Sequence, residues 1–202
     1  MSAIIKLFRP RAGKAREERS PDPQQRFEHL LRPHIELLYR MAYRWTGTQA
    51  DAEDLVQELL VRLTTRIDEM EALESLRPWL LRILYNRYVD DYRRQRRSPI
   101  DASHGGWEPD QENEDAAAGD LIASAEDPHN PAEQEDLRRS LHNALAQLEP
   151  DQRDAVLLHD MEGYSAEETA GILEIPLGTV KSRLHRARAR LRLLLFDEND
   201  LE

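Results

Sequence analysis

The sequence predicts an all-α fold: two small helical domains joined by a flexible acidic linker. Three observations point to it. Apolar residues recur at three- and four-residue steps from Phe27 to Arg97 and again from Ala132 to Leu195, the period of helices with one buried face. Between these stretches, Ser98 to Pro131 combines Gly105-Gly106, Pro109, Pro128 and Pro131 with many acids and no Lys or Arg. Such a composition cannot bury enough apolar surface to order itself. Finally, 202 residues with 40% hydrophobic content suit two small cores better than one large one. The chain has no cysteine, so disulfides and thiolate zinc sites are excluded. No apolar run is long enough to cross a membrane, and the N-terminus lacks the apolar core of a secretory signal, so a soluble, cytoplasmic protein is expected.

Met1 to Gln25 carries Lys6, Arg9, Arg11, Lys14, Arg16 and Arg19 with several prolines, and reads as a disordered basic arm. Leu30, Leu31, Ile35, Leu37, Leu38, Met41, Ala42 and Trp45 then follow a helical period around Pro33. A short turn at the proline and a helix from about His34 to Trp45 accommodate both. Gly47-Thr48 ends that helix. The next, Gln49 to Ile67, buries Leu55, Leu59, Leu60, Leu63 and Ile67 and exposes Asp51, Glu53, Asp54, Gln57, Glu58 and Arg62. Asp54 and Glu58 share a face. They lack the Glu-x-x-His pattern of helical carboxylate metal sites, so no metal and no cofactor is expected, and the face is either a protein-docking surface or a plain solvated one.

In the helix Leu76 to Arg97, Leu80, Ile83, Leu84, Tyr88 and Tyr92 form the core stripe, while Trp79, Arg82, Asn86, Asp90, Arg93 and Arg97 line another face. An amide and arginines on one face suit melted DNA, whose phosphates meet cations and whose bases pack on planar groups; Trp79 itself reads as core. After the linker, Ala132 to Leu148 resumes helix with Leu137, Leu141, Leu145 and Leu148 on the buried side. A further helix runs to Met161, and Gly163 turns the chain.

Ser165 to Leu195 reads as two helices and a tight turn. Ser165 and Glu168 form a capping box at the start of the first, and Pro176 separates the two. The small residues Ala170 and Gly171 are expected to let the helices approach. In the second helix Leu177, Val180, Leu184, Ala187, Leu191 and Leu195 face inward, and the other faces carry Lys181, Ser182, Arg183, His185, Arg186, Arg188, Arg190 and Arg192. This is the arrangement of a helix-turn-helix that lays its second helix in the major groove. The net charge of −11 does not oppose a DNA partner, because the acids and the arginines occupy different intervals and local charge governs binding.

The run Asp151 to Leu194, and GTVKSRLHRAR at Gly178 to Arg188 above all, resembles region four of bacterial sigma factors of the extracytoplasmic-function (ECF) type, in the sigma-70 family. DAEDLVQELLVRL, Asp51 to Leu63, is similar to the region-two helix of that family that grips the clamp helices of the polymerase beta-prime subunit. Leu76 to Arg97 resembles the segment that recognises and melts the minus-ten element. The resemblance implies core-polymerase binding by Asp54, Gln57 and Glu58. It implies minus-ten contacts by Asn86, Arg87, Asp90, Arg93, Arg94 and Arg97. Minus-thirty-five contacts fall to Thr179, Lys181, Ser182, Arg183, His185, Arg186 and Arg188, with the beta flap as a second polymerase contact.

The implied organisation is an arm over 1–25, a region-two domain over 26–97, the linker over 98–131, a region-four domain over 132–196 and an acidic tail over 197–202. The linker serves either as a plain tether or as a mimic of nucleic-acid phosphates in the polymerase channel. One departure from the family is the interval Asp68 to Ser75, which lacks the glycine-containing, hydroxyl-rich loop expected there and so bears on minus-ten specificity. The family also implies an anti-sigma partner, which no residue here specifies; the free protein is expected to be a monomer. The competing function is a stand-alone helix-turn-helix regulator. An enzyme is not expected: the sequence has no histidine clustered with acids, no nucleophile elbow and no glycine-rich phosphate loop.

Overall fold

The computed structural model describes residues 22–97 and 131–195, excluding the side chains of residues 95–97, 131–135 and 138. The expectations for the arm up to residue 21, the linker up to residue 130 and the residues from 196 onward lie outside the described residues. The chain divides into two compact units, Met1–Gly105 and Gly106–Glu202, and every described element is helical. Among the described residues no helix is long and apolar enough to cross a membrane.

In the first unit, α1 spans Pro23–Leu31, starting on a proline whose fixed φ suits a first helical position. It takes in Pro23, Gln24 and Gln25, which the sequence assigned to the arm, and it uses Phe27, Leu30 and Leu31, which were not expected to form a helix of their own. A 3-10 turn at Arg32–His34 carries Pro33, and α2 follows at Ile35–Thr46. Gly47 ends α2 at φ 82°, a left-handed conformation that glycine adopts without steric penalty, and its N–H bonds Tyr43 O at 2.8 Å. Thr48 then caps α3, Gln49–Leu63, with its hydroxyl accepting from the Asp51 N–H at 3.2 Å.

Helix α3 stops at Leu63 and does not continue to Ile67. The reason is local. Thr64 and Thr65 donate their hydroxyls to the carbonyls of Val61 (2.7 Å) and Arg62 (3.2 Å), in competition with the helical ladder. Ile67 instead opens a short helix α4, Ile67–Glu71, which buries Met70. Helix α5, Leu76–Arg97, packs against both α2 and α3. The core they share holds Leu38, Met41 and Trp45 from α2, Leu59 and Leu63 from α3, and Leu80, Leu81 and Leu84 from α5. The buried stripe of α5 is rotated from the predicted one. Leu81 and Tyr85 are inside, Tyr88 and Tyr92 are half-buried, and Ile83 lies on the flank, because α5 is wedged between two helices and buries a wider arc.

The second unit comprises α6 (Pro131–Ala146), α7 (Pro150–Val156), one turn of π-helix (Leu157–Met161), α8 (Ala166–Leu173) and α9 (Leu177–Leu195). α9 packs on α6, α7 and α8. Leu145, Leu148, Val156, Leu157, Leu158, Ile172, Leu173, Val180, Leu184 and Ala187 form the core. Leu137, expected inside, is 58% exposed, and Leu141 is only half-buried. The buried part of α6 is its C-terminal half, where His142, Ala144 and Leu145 lie. Gly163 turns the chain at φ 74°, and His159 Nδ1 lies 2.7 Å from Tyr164 O, donating to that carbonyl and pinning the turn.

Candidate nucleic-acid and protein interfaces

The helix-turn-helix is built by hydrogen bonds that its sequence announces. Ser165 Oγ accepts from the Glu168 N–H at 3.1 Å while Glu168 Oε2 accepts from the Ser165 N–H at 2.8 Å, so two donors at the start of α8 are satisfied reciprocally. α8 ends on Glu174 at φ 53°, a left-handed cap of the kind glycine or asparagine more often supplies. The Ile175 N–H bonds Ala170 O at 3.1 Å, and Pro176 O accepts from the Thr179 N–H at 2.8 Å, which starts α9.

Close approach of the two helices does not depend on Gly171. It is exposed, and a Cβ built there meets nothing within 4 Å; Thr169, Ile172 and Leu173 of α8 and Val180, Leu184 and Ala187 of α9 are the buried residues of the pair. Gly171→Ala is therefore expected to raise stability by about 0.5–1 kcal/mol through helix propensity alone, measurable as a higher urea midpoint with unchanged slope. A loss of stability would restore the close-packing role.

Along α9 the inward residues Val180, Leu184 and Ala187 leave Lys181, Ser182, His185 and Arg186 exposed, with Thr179 half-buried beside them. Ser182 donates to Thr179 O at 2.9 Å. Arg186 reaches back to Ser182, with Nε 3.3 Å from its carbonyl and Nη2 3.4 Å from its hydroxyl. Two of the expected contact residues are engaged inside the unit. Arg183, whose side chain is 16% exposed, pairs with Asp151 of α7. Arg188 Nε lies 3.0 Å from Asp160 of the π turn, with Nη2 on the other carboxylate oxygen, and this pairing pushes the guanidinium pKa further up. On the flank, an open groove of about 700 Å³ is lined by His159, Ala166, Lys181, His185, Arg188 and Arg192.

In the first unit Asp54, Gln57 and Glu58 are exposed on α3 at three- and four-residue steps, as one stripe. The Glu58 carboxylate meets Arg87 of α5 at 2.6 Å, and the same Arg87 nitrogen lies 2.9 Å from Asp91. The Arg87 side chain, which the resemblance places among the minus-ten contacts, is only 11% exposed. Burial pushes the Asp91 carboxyl up from its ordinary range, and Arg87 works against that rise. Asp90, Arg93 and Arg94 are exposed and Asn86 is half-buried. Arg97 closes α5, with its side chain outside the described residues.

The connection between α3 and α5, which the sequence marked only as lacking glycine, is clamped by two arginines. Arg26 of α1 bonds Asp68 Oδ1 at 2.6 Å and Glu71 Oε1 at 2.8 Å, and holds the Glu71 carboxyl below its usual range. Arg66 bonds both oxygens of Glu69, at 2.6 and 2.7 Å, and lies 4.7 Å from the Trp79 ring centroid. Trp79 is half-buried, in contact with this guanidinium rather than enclosed in the core. Of these partners Asp91, four residues after Arg87, and Glu69, three residues after Arg66, were legible from spacing. Arg26, Asp151 and Asp160 gave no periodic signal.

Two small helical units, one bearing an acidic stripe beside an arginine-tipped helix and the other a capped helix-turn-helix with an exposed basic face, define a bipartite transcription factor. Residues 30–98 match the family described as Sigma-70 region 2, and residues 138–191 match Sigma-70, region 4. The chain is 38% identical over 168 residues to ECF RNA polymerase sigma factor SigE of Mycolicibacterium smegmatis, covering 82% of this chain and 60% of that protein. It is 35% identical over 159 residues to ECF RNA polymerase sigma factor EcfG of Rhodopseudomonas palustris, covering 79% of each. Among solved structures it is similar to the sigma factor RpoE of Bartonella quintana, crystallised in complex with the anti-sigma factor NepR. The TM-score is 0.60 at 29% identity, over 84% of this chain and 96% of that one.

The chain belongs to the ECF sigma factors of the sigma-70 family, and its function is promoter-directed transcription initiation. Sigma factors are initiation factors, not catalytic enzymes.

Proposed function

We propose that the chain docks on core RNA polymerase through the α3 stripe of Asp54, Gln57 and Glu58, set against the beta-prime clamp helices. The end of α5 opens the minus-ten element, and α9 reads the minus-thirty-five element. One observation carries this reading: Asp54 and Gln57 are exposed on α3 while Arg93 and Arg94 are exposed at the end of α5, which packs against α3. A single small unit thus offers an acidic surface to a protein and a basic one to nucleic acid. Asn86, Asp90, Arg93, Arg94 and Arg97 serve the minus-ten element. Thr179, Lys181, Ser182, His185 and Arg186 serve the minus-thirty-five element, with Arg183 and Arg188 braced behind them. The second unit also meets the beta flap.

The proposed domains are a region-two domain over 26–97 and a region-four domain over 132–196, joined by the acidic linker. Two weak DNA-binding units so joined gain apparent affinity through effective concentration. An anti-sigma protein that covers these surfaces, as NepR binds the Bartonella quintana relative, belongs to the same proposal, as do a cytoplasmic location and a monomeric free state.

The test is reconstitution with core polymerase followed by run-off transcription from genomic fragments. A stable complex giving discrete transcripts is the expected result; DNA binding with no affinity for polymerase would make the chain a stand-alone regulator. Within that assay, Asp54→Ala with Glu58→Ala is expected to weaken core binding by about tenfold or more, chiefly through slower, salt-sensitive association. Unchanged holoenzyme formation would remove this face from the interface.

A further inference from the structure

The docking stripe is not simply a row of solvated acids. Glu58, half-exposed on α3, is met from α5 by a guanidinium that is nearly covered, and that guanidinium is in turn anchored by Asp91 one turn further along the same helix. Both contacts run through Arg87 Nη2, at 2.6 Å to Glu58 and 2.9 Å to Asp91, while Arg87 Nε is buried without a hydrogen-bond partner among the described residues. Such a group is held by its surroundings: it cannot swing to a phosphate without abandoning two carboxylates and leaving the partly buried Asp91 with only a longer contact to Arg94. Arg94, by contrast, is 71% exposed and touches Asp91 only at 3.4 Å.

A glutamate on an open helix face samples several rotamers, and fixing one of them on binding costs entropy that a pre-formed contact removes beforehand. We infer that Arg87 is a positioning residue of the polymerase-docking face, not a DNA contact: anchored by Asp91, it holds the Glu58 carboxylate in the orientation presented to the polymerase. The inference rests on the reading that the α3 stripe docks on core polymerase.

The experiment measures the affinity of the full chain for core polymerase in a double-mutant cycle, with Arg87→Met made alone and together with Glu58→Gln. Arg87→Met alone is expected to weaken binding by about two- to tenfold, the range set by the ordering of one long side chain, and to have no further effect once Glu58→Gln is present. An equal loss in both backgrounds would mean that Arg87 acts through the fold at large. A gain in affinity would mean that it competes with the polymerase for Glu58. Either result overturns the proposal. Arg87→Lys and Asp91→Asn provide the same cycle if Arg87→Met does not fold, and each is expected to give a smaller loss that again depends on Glu58.

The salt dependence of promoter binding by the holoenzyme supplies a second readout. Arg94→Ala is expected to lower the slope of log affinity against log salt by about one, and Arg87→Met to leave it unchanged. A drop of about one for Arg87→Met would make it a phosphate ligand and overturn the assignment. The two readings fail separately. If Glu58→Gln and Asp54→Ala leave core binding untouched, the docking face itself is wrong. If they weaken it while Arg87→Met acts independently of Glu58, only the positioning role is lost.

Discussion

Trp45→Ala lowers the stability of the first unit by about 3–5 kcal/mol, the range for emptying a packed aromatic site. Trp45 is 2% exposed on α2 and meets α5 through two tyrosine rings. Tyr85 approaches it edge-on with centroids 5.2 Å apart, and Tyr88 stacks on it at 5.9 Å with the planes 17° apart. Pairs of this kind add about 0.5–1.5 kcal/mol each beyond the area they bury. Tyr92 continues the row at 6.1 Å from Tyr88, toward the arginine end of α5, so the cavity also loosens the helix proposed to open DNA.

The indole nitrogen is buried without a hydrogen-bond partner among the described residues. Trp45→Phe consequently breaks no hydrogen bond and is expected to cost only about 1–2 kcal/mol, from the smaller void. Urea unfolding followed by far-UV circular dichroism measures both, and a Trp45→Ala loss below about 1 kcal/mol would contradict this account of the core. Because a domain's whole stability is about 5–15 kcal/mol, the alanine variant is also expected to be deficient in polymerase binding, without any contact residue having changed.

How much of this was legible in the sequence follows the range of the forces involved. Features set by neighbours in the chain were legible: the Ser165–Glu168 capping box, the turn at Pro33, the stop at Gly47 and the break at Pro176 each depend on a few consecutive residues. Features set by competition or by distant partners were not. The apolar period carries α3 on to Ile67, yet the helix ends at Leu63, where the hydroxyls of Thr64 and Thr65 turn back to its carbonyls. Leu137 fits the α6 period, yet period says only which residues share a face and not where along the helix a partner begins.

The candidate sites divide in the same way. That α9 would be basic and exposed could be read from its spacing. That Arg183, Arg188 and Arg87 would be taken up by Asp151, Asp160 and Glu58 could not, since these carboxylates lie on other elements.

That division of the arginines gives the recognition helix its sharpest expected result. Lys181→Ala with Arg186→Ala removes two exposed cations from α9 and, among the described residues, no ion pair with another element, because there Arg186 bonds only Ser182 one turn back and Lys181 is exposed on the groove. Its effect is expected in function and not in stability. Promoter affinity of the holoenzyme falls about 10- to 100-fold at moderate salt, and the slope of log affinity against log salt drops by about two if both meet phosphates. Where one of them reads a base edge, the slope drops by about one and discrimination at that base relaxes.

Arg183→Ala is expected to behave in the opposite way. With its side chain 16% exposed and tied to Asp151 of α7, it lowers the unfolding midpoint of the variant while leaving the salt slope unchanged. Filter binding over a salt series, paired with thermal unfolding of the same variants, separates the two. If Arg183→Ala changes the slope and Lys181→Ala with Arg186→Ala does not, the face of α9 turned to DNA is the one carrying Arg183, and the recognition surface must be rotated about the helix accordingly.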